Sequence, residues 1–207
     1  SKSNQISAYL VLGPESSGTR LVTRILLEAG CNGSDDHVQP WDDTPFPEPT
    51  NPIVFRRSIP HAKTWPNIPS IIRSIREKGY NIQAVVTARD WYAVSKSQSY
   101  QKQHVNDQDE AYKNLQQVYP FIFKALEQEK VPYIMVTYES IVNNNKAINE
   151  FLTYASLPNI NNIDLDKINL YNGNSKWFNT NKSNKEGNEI KLSQKRSNKF
   201  NWWNLLR

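Results

Sequence analysis

Residues 8–30 constrain the fold most, because an apolar strand, a tight loop and an amphipathic helix follow one another there. Ala8-Tyr9-Leu10-Val11-Leu12 reads as a buried strand and enters Gly13-Pro14-Glu15-Ser16-Ser17-Gly18-Thr19-Arg20. Val22, Ile25, Leu26 and Ala29 then recur at i, i+3, i+4 and i+7, the stripe of one helix face. Gly30 stands where a helix C-terminus favours a left-handed residue. Such a unit forms an anion cradle, since the first N–H groups of a helix lack intrahelical acceptors and point into the preceding loop. The loop departs from the GxxxxGK[ST] pattern of nucleoside-triphosphate sites at its end. Thr19 replaces the lysine, and Arg20 replaces the hydroxyl residue that would hold magnesium. A phosphate ligand other than magnesium-ATP is therefore expected. The plainer alternative is a strand-to-helix turn with a good N-cap.

A second feature argues against the plainer alternative. Ile82-Gln83-Ala84-Val85-Val86-Thr87-Ala88 reads as another buried strand and ends at Arg89, with Ser97 eight residues further on. Arginine offers a permanently charged planar fork and serine a neutral hydrogen bond, so the two can grip one phosphate from two sides. Ligands of open parallel sheets bind at the carboxyl ends of the strands. The two half-sites therefore suit one elongated molecule with two phosphates.

These motifs resemble those of sulfotransferases that use 3′-phosphoadenylyl sulfate (PAPS) as donor. Ser17-Gly18-Thr19 match the family's loop for the 5′-phosphosulfate, and Arg20 matches a variant of the heparan-sulfate branch. Arg89 and Ser97 match its 3′-phosphate element at the right spacing. Val131-Pro132-Tyr133-Ile134-Met135-Val136-Thr137-Tyr138-Glu139 is similar to the family's strand before a Tyr-Glu pair, whose tyrosine lies near the adenine. The likeness covers roughly residues 8–160 and rests on the order of three short motifs. It implies a three-layer α/β/α fold with a mostly parallel central sheet, like that of P-loop nucleotide-binding proteins. It also implies transfer of a sulfuryl group from PAPS to a hydroxyl or amine, with adenosine 3′,5′-bisphosphate (PAP) as product and no metal. One departure is Ser16, which stands where the family carries lysine or arginine against the bridging oxygen.

Sulfuryl transfer requires a base near the acceptor hydroxyl and positive charge near the leaving phosphate. His61 is the first candidate base, closing Phe55-Arg56-Arg57-Ser58-Ile59-Pro60-His61, a run that looks like the cytosolic family's Lys-Thr-His-Leu-Pro segment three residues out of step. His37 and Asp36 are the second, because an acidic base follows the first helix in the heparan-sulfate branch. Arg56 and Arg57 alternate faces of a strand, so one is expected to compensate for Ser16 and the other to meet solvent. The expected catalytic set is thus His61, Arg57 and Arg20. The expected nucleotide contacts are Ser16, Ser17, Gly18, Thr19, Arg20, Arg89, Ser97, Tyr138 and Lys176. His104 reads as a surface residue and Glu139 as a helix-start carboxylate.

Two other readings compete. A P-loop kinase of nucleotides or small molecules predicts a lysine in the loop and a strand-end carboxylate for magnesium. Thr19 holds the first position, and Asp90 lies one residue past Arg89. A sulfotransferase-like module that binds PAP or PAPS without turnover is the third reading.

Length and charge narrow the field further. With 207 residues the chain suits one α/β domain. Lys and Arg number 25 against 20 Asp and Glu, a net +5 that suits a polyanionic ligand. No basic run of the kind that marks nucleic-acid binders is present, so no nucleic-acid partner is expected, and the resemblance implies a small-molecule or carbohydrate acceptor. A lone cysteine, Cys31, excludes an internal disulfide and cysteine-based zinc sites. No stretch approaches the about 18 apolar residues of a membrane span, and a cytoplasmic location is expected.

Further strands are expected over residues 52–57 and 131–137, and helices through Ile68–Ile75, from Tyr92 to His104, over 107–129 with a kink at Pro120, and through Ile148–Ala155. Residues 32–52 read as loop because prolines recur at 40, 45, 47, 49 and 52. Residues 172–200, rich in Asn, Ser and Lys, read as a mobile or ligand-ordered segment, in which Lys176 and Trp177 could meet a phosphate and a base. The terminal Phe200, Trp202, Trp203, Leu205 and Leu206 are apolar enough to dock on the core or a partner.

Overall fold

Strand β1 (Ser7–Gly13) occupies the centre of a five-stranded parallel sheet, and every other element is arranged about it. The computed structural model describes residues 5–36, 39–40, 45–102, 104–142, 144–161 and 173–178. Residues up to 161 belong to one unit, and 173–178 belong to a second that contains a four-residue helix, Ser175–Phe178. His37, most of 172–200 and the terminal aromatic cluster lie outside the described residues, as does the side chain of Lys176.

In chain order the first unit continues with α1 (Thr19–Glu28), β2 (Asn32–Gly33), β3 (Ile53–Ser58), α2 (Ile68–Glu77), β4 (Asn81–Ala88) and α3 (Trp91–Lys96). A π-helical segment (Ser97–Lys102), α4 (Gln108–Gln128), β5 (Tyr133–Thr137), α5 (Tyr138–Ile141) and α6 (Asn145–Tyr154) complete it. The sheet order is β2-β3-β1-β4-β5, with β1 in parallel register against Ile53–Ser58 on one side and Asn81–Val86 on the other. From β1 the chain goes first to the outermost strand β2, returns inward to β3, then crosses to the other side of β1 through β4 and on to β5. Such a reversal opens a crevice at the carboxyl ends of the central strands.

Strand alternation sorts side chains into the two outer layers. Ala8, Leu10 and Leu12 join Ile53, Phe55, Ala84 and Val86 under α2 and α4. Tyr9 and Val11 join Val54, Val85 and Val136 under α1 and α6. Burying each of these Leu, Ile, Val or Phe side chains contributes about 1.5–3 kcal/mol relative to leaving it exposed. The result is the three-layer α/β/α arrangement that the sequence implies. Among the described residues no helix is long and apolar enough to cross a membrane.

Two local expectations change. Asn32–Gly33 pairs with β3 inside the stretch read as loop, a two-residue exposed edge that carries no alternation to detect. The helix expected to His104 ends as α-helix at Lys96 and widens into the π segment over Ser97–Lys102. Helix α4 runs from Gln108 to Gln128 with Pro120 inside it. Gly30, with φ 99°, takes the left-handed conformation expected after α1.

Candidate functional site

The loop between β1 and α1 is built by its own hydroxyls. Ser17 is fully buried, and its Oγ donates to Pro14 O at 2.6 Å and lies 2.6 Å from Thr87 Oγ1 at the end of β4. Thr19 Oγ1 lies 3.1 Å from Ser58 Oγ at the end of β3. The two hydroxyls expected on a ligand therefore brace the loop against the neighbouring strands. Val22 N–H bonds back to Gly18 O at 3.0 Å, which leaves Thr19, Arg20 and Leu21 as the N–H groups without a helical acceptor. Ser16 adopts φ 71°, and its Oγ is buried without a hydrogen-bond partner among the described residues. Gly18 has φ 101°, and a Cβ there would lie 3.2 Å from Tyr138 Cδ2, so the ring closes on the loop only because no side chain intervenes.

Arg89 reaches this loop from the end of β4. Its Nη1 donates to Ser16 O at 2.9 Å, and its guanidinium lies 4.3 Å from the centre of the Tyr138 ring. The loop, Arg89 and Tyr138 thus share one small region. Burial pushes the Arg89 guanidinium pKa below its ordinary value, opposed by Tyr138, Glu139 and Asp90. Ser97 is buried at the junction of α3 and the π segment, whose Gln98 donates Nε2–H to Glu15 O at 2.7 Å. Asp90 caps α3 by accepting from Ala93 N–H at 3.0 Å. Glu139, in the first turn of α5, accepts from Asp90 N–H at 2.9 Å, in keeping with a helix-start carboxylate.

Glu15 of the same loop gathers a group of which the sequence points only to His61. Glu15 is only 3% exposed, and its Oε2 is 2.6 Å from His104 Nδ1. Its Oε1 is 3.3 Å from Lys102 Nζ and 3.5 Å from His61 Nδ1. Burial raises the Glu15 pKa, but Lys102, His104 and His61 together outweigh it and hold the carboxyl below the usual range. His104 is therefore no plain surface residue. It is recruited by a carboxylate 89 positions away, a distance over which no sequence periodicity carries a signal.

His61 opens a tight turn whose central residues, Ala62 and Lys63, have φ 45° and 72°. Reciprocal backbone bonds of 3.0 and 2.9 Å join His61 to Thr64, and its ring meets that of His104 edge-on at 5.9 Å. Burial pushes the His61 pKa below its ordinary value; Glu15 opposes this, while His104, Arg57 and Lys102 add to it.

A separate ionic cluster surrounds Asp35 after α1. Arg24 Nε donates to Asp35 Oδ2 at 2.6 Å, Arg56 Nη2 donates to Asp35 O at 2.8 Å, and Arg20 Nε stands 3.9 Å from the same carboxylate. Arg20 is thus drawn partly toward Asp35. Neither arginine of the β3 pair simply meets solvent: Arg56 is 6% exposed with its pKa pushed down to about 10, chiefly by burial, and Arg57 is half-buried. Asp36 is exposed. Cys31 is buried, and burial pushes its thiol up to about 11, as suits a structural residue.

Burial raises the Asp35 pKa, but Arg24, Arg20 and Arg56 outweigh it and leave the carboxyl lowered. With Glu15 lowered as well, the unfolded chain binds more protons than the folded one once pH drops toward the ordinary carboxylate range. Stability supplied by these groups is complete above about pH 4.5 and disappears as pH falls through their folded values. Asp35→Asn is expected to cost about 1 kcal/mol at pH 7 and to flatten that acid limb, measured by urea midpoints from neutral pH downward. Equal slopes for variant and parent would remove Asp35 from the account.

The site therefore contains a loop with uncapped N–H groups, a guanidinium held against an aromatic ring, and two imidazoles on a shared carboxylate. The chain matches no protein-family model and no curated protein.

Proposed function

We propose that the chain is a PAPS-dependent sulfotransferase acting on a hydroxyl or amine of a small molecule or carbohydrate. The observation that carries this reading is the 2.9 Å bond from Arg89 Nη1 to Ser16 O, which sets a strand-end guanidinium against the anion loop. A nucleotide with phosphates at both ends of its ribose suits that pairing. The residues present fit such a donor, because the buried Ser16 Oγ offers an unused hydroxyl inside the loop. Uncapped N–H groups of Thr19, Arg20 and Leu21 offer further donors.

When bound, the donor supplies an activated sulfuryl group on a phosphate leaving group. The loop N–H groups and Ser16 would hold the 5′ end, and Arg89 with Ser97 the 3′-phosphate. Tyr138, which the resemblance sets near the adenine, is only 4% exposed under Arg89 and against Gly18, so its ring would back Arg89 rather than stack on the base. Charge on the leaving oxygen, which Ser16 cannot stabilise as lysine would, falls to Arg20 and Arg57. The base is one of the imidazoles that face Glu15, of which the sequence nominates His61.

The kinase alternative asks for a strand-end carboxylate on magnesium, whereas Asp90 is engaged at the N-terminus of α3. Calorimetry with PAP, adenosine 5′-phosphate and magnesium-ATP tests the reading. PAP is expected to bind at least about tenfold tighter than adenosine 5′-phosphate, the worth of one or more charge-assisted hydrogen bonds. Tighter binding of magnesium-ATP than of PAP would overturn it. Labelled PAPS then separates an enzyme from a module that only binds.

A further inference from the structure

Glu15 is an unexpected occupant of a loop that receives anions. A carboxylate is almost never fully buried unless paired, and burying it unpaired is costly. This one is fixed from three directions. Gln98 holds its backbone carbonyl at 2.7 Å, Lys102 and His61 flank Oε1, and His104 Nδ1 bonds Oε2 at 2.6 Å. His104 is therefore within hydrogen-bond distance, whereas His61 at 3.5 Å is only within ion-pair reach.

An ionised carboxylate can only accept, so the short bond requires the hydrogen on His104 Nδ1. The neutral ring then carries its lone pair on Nε2, the atom turned away from Glu15. The His61 ring, edge-on at 5.9 Å, restricts rotation of the His104 ring. Orienting carboxylate and imidazole thus stand in the order that base catalysis requires.

We propose that Glu15 and His104 form a carboxylate–imidazole dyad, with Glu15 the positioning residue and His104 Nε2 the atom that takes the acceptor's proton. This rests on the sulfotransferase reading above. As the acceptor oxygen or nitrogen forms its bond to sulfur, its proton passes to Nε2. The sulfur–oxygen bond to the leaving phosphate breaks with its electron pair going to PAP. The imidazolium, stabilised by Glu15, later releases the proton to solvent. The charged groups that face the dyad are His61 from the turn after β3 and Lys102 from the π segment, with Arg56 of β3 also acting on Glu15, Arg57 acting on His61, and Arg20 and Arg56 acting on Lys102.

Imidazole nitrogen NMR on the wild-type chain at neutral pH tests the dyad without any turnover. His104 is expected as the Nδ1–H tautomer; an Nε2–H ring would overturn the proposal. Kinetics with labelled PAPS, using 2-naphthol and N-acetylglucosamine as acceptor probes, give the second readout. His104→Gln is expected to lower kcat about 100-fold or more while donor KM stays within about threefold, and His61→Gln to cost less. Glu15→Gln is expected to lower kcat about tenfold while donor KM stays within about threefold. A larger loss in His61→Gln than in His104→Gln, or an unchanged kcat in Glu15→Gln, would overturn the dyad. If Glu15→Gln fails to fold, the wild-type tautomer and the two histidine variants still decide. PAP binding by the wild-type chain, measured alongside, separates the failures. Absence of PAP binding sinks the sulfotransferase reading, whereas PAP binding with the wrong tautomer sinks the dyad alone.

Discussion

Arg89→Ala is expected to lower the affinity for PAP about 100-fold, while adenosine 5′-phosphate changes by no more than about fivefold. A guanidinium fork makes two charge-assisted bonds to a phosphate, each worth about 1.5–3 kcal/mol, and about 2.7 kcal/mol already amounts to 100-fold. Arg89 is suited to this because it is held before any ligand arrives, by Ser16 O on one side and the Tyr138 ring on the other. Little side-chain entropy is then lost on binding. The smaller effect on adenosine 5′-phosphate follows from the same bond to Ser16 O, whose loss loosens the loop without removing its N–H groups. Arg89→Lys keeps the charge and loses the fork, so it falls between. Calorimetry with both nucleotides is the measurement. Equal losses for the two would make Arg89 a brace of the loop and nothing more.

Gly13→Ala produces the largest loss of stability of any conservative change in the site. A Cβ on Gly13 would stand 2.0 Å from Thr87 Oγ1, 2.8 Å from Ser17 Oγ and 2.9 Å from Thr87 O. The Thr87 side chain could rotate only by abandoning Ser17, and the carbonyl belongs to a strand paired on both sides. Overpacking of this kind costs about 3 kcal/mol, at the upper end of such substitutions. Gly18→Ala, where φ is 101° and only a flexible ring lies near, costs about 1–2 kcal/mol. Urea unfolding of the two variants gives the comparison. A Gly13→Ala chain as stable as its parent would mean that β1 and β4 end farther apart than the loop requires.

The layers were legible because their signals are local and periodic. The runs at 8–12, 82–88 and 131–137 and the stripes of α1, α2 and α4 carry enough apolar residues to announce strand or helix by themselves. Asn32–Gly33 was not legible, since a two-residue edge strand is defined by its partner rather than its own residues. Within the site, Arg89 and the loop could be anticipated because each sits at the end of a recognisable strand. The Glu15 cluster could not. Its members lie at positions 15, 61, 102 and 104, and what unites them is the desolvation of one carboxylate, a property of the folded surroundings. A sharper reading of the loop would have asked what neutralises an acid inside an anion cradle. The answer still required the π segment, whose departure from α-helical register no pattern in Ser97–Lys102 announces.

One carboxylate also ties together stretches of chain that otherwise share no continuous backbone. The first loop supplies the pair of oxygens, and the turn after β3 and the segment ending at His104 each bring nitrogen atoms to them. None can swing outward alone without stranding a charge in a dry environment. Breathing of this rim is therefore concerted, and a lesion in any one of the three is felt as slackness in the other two.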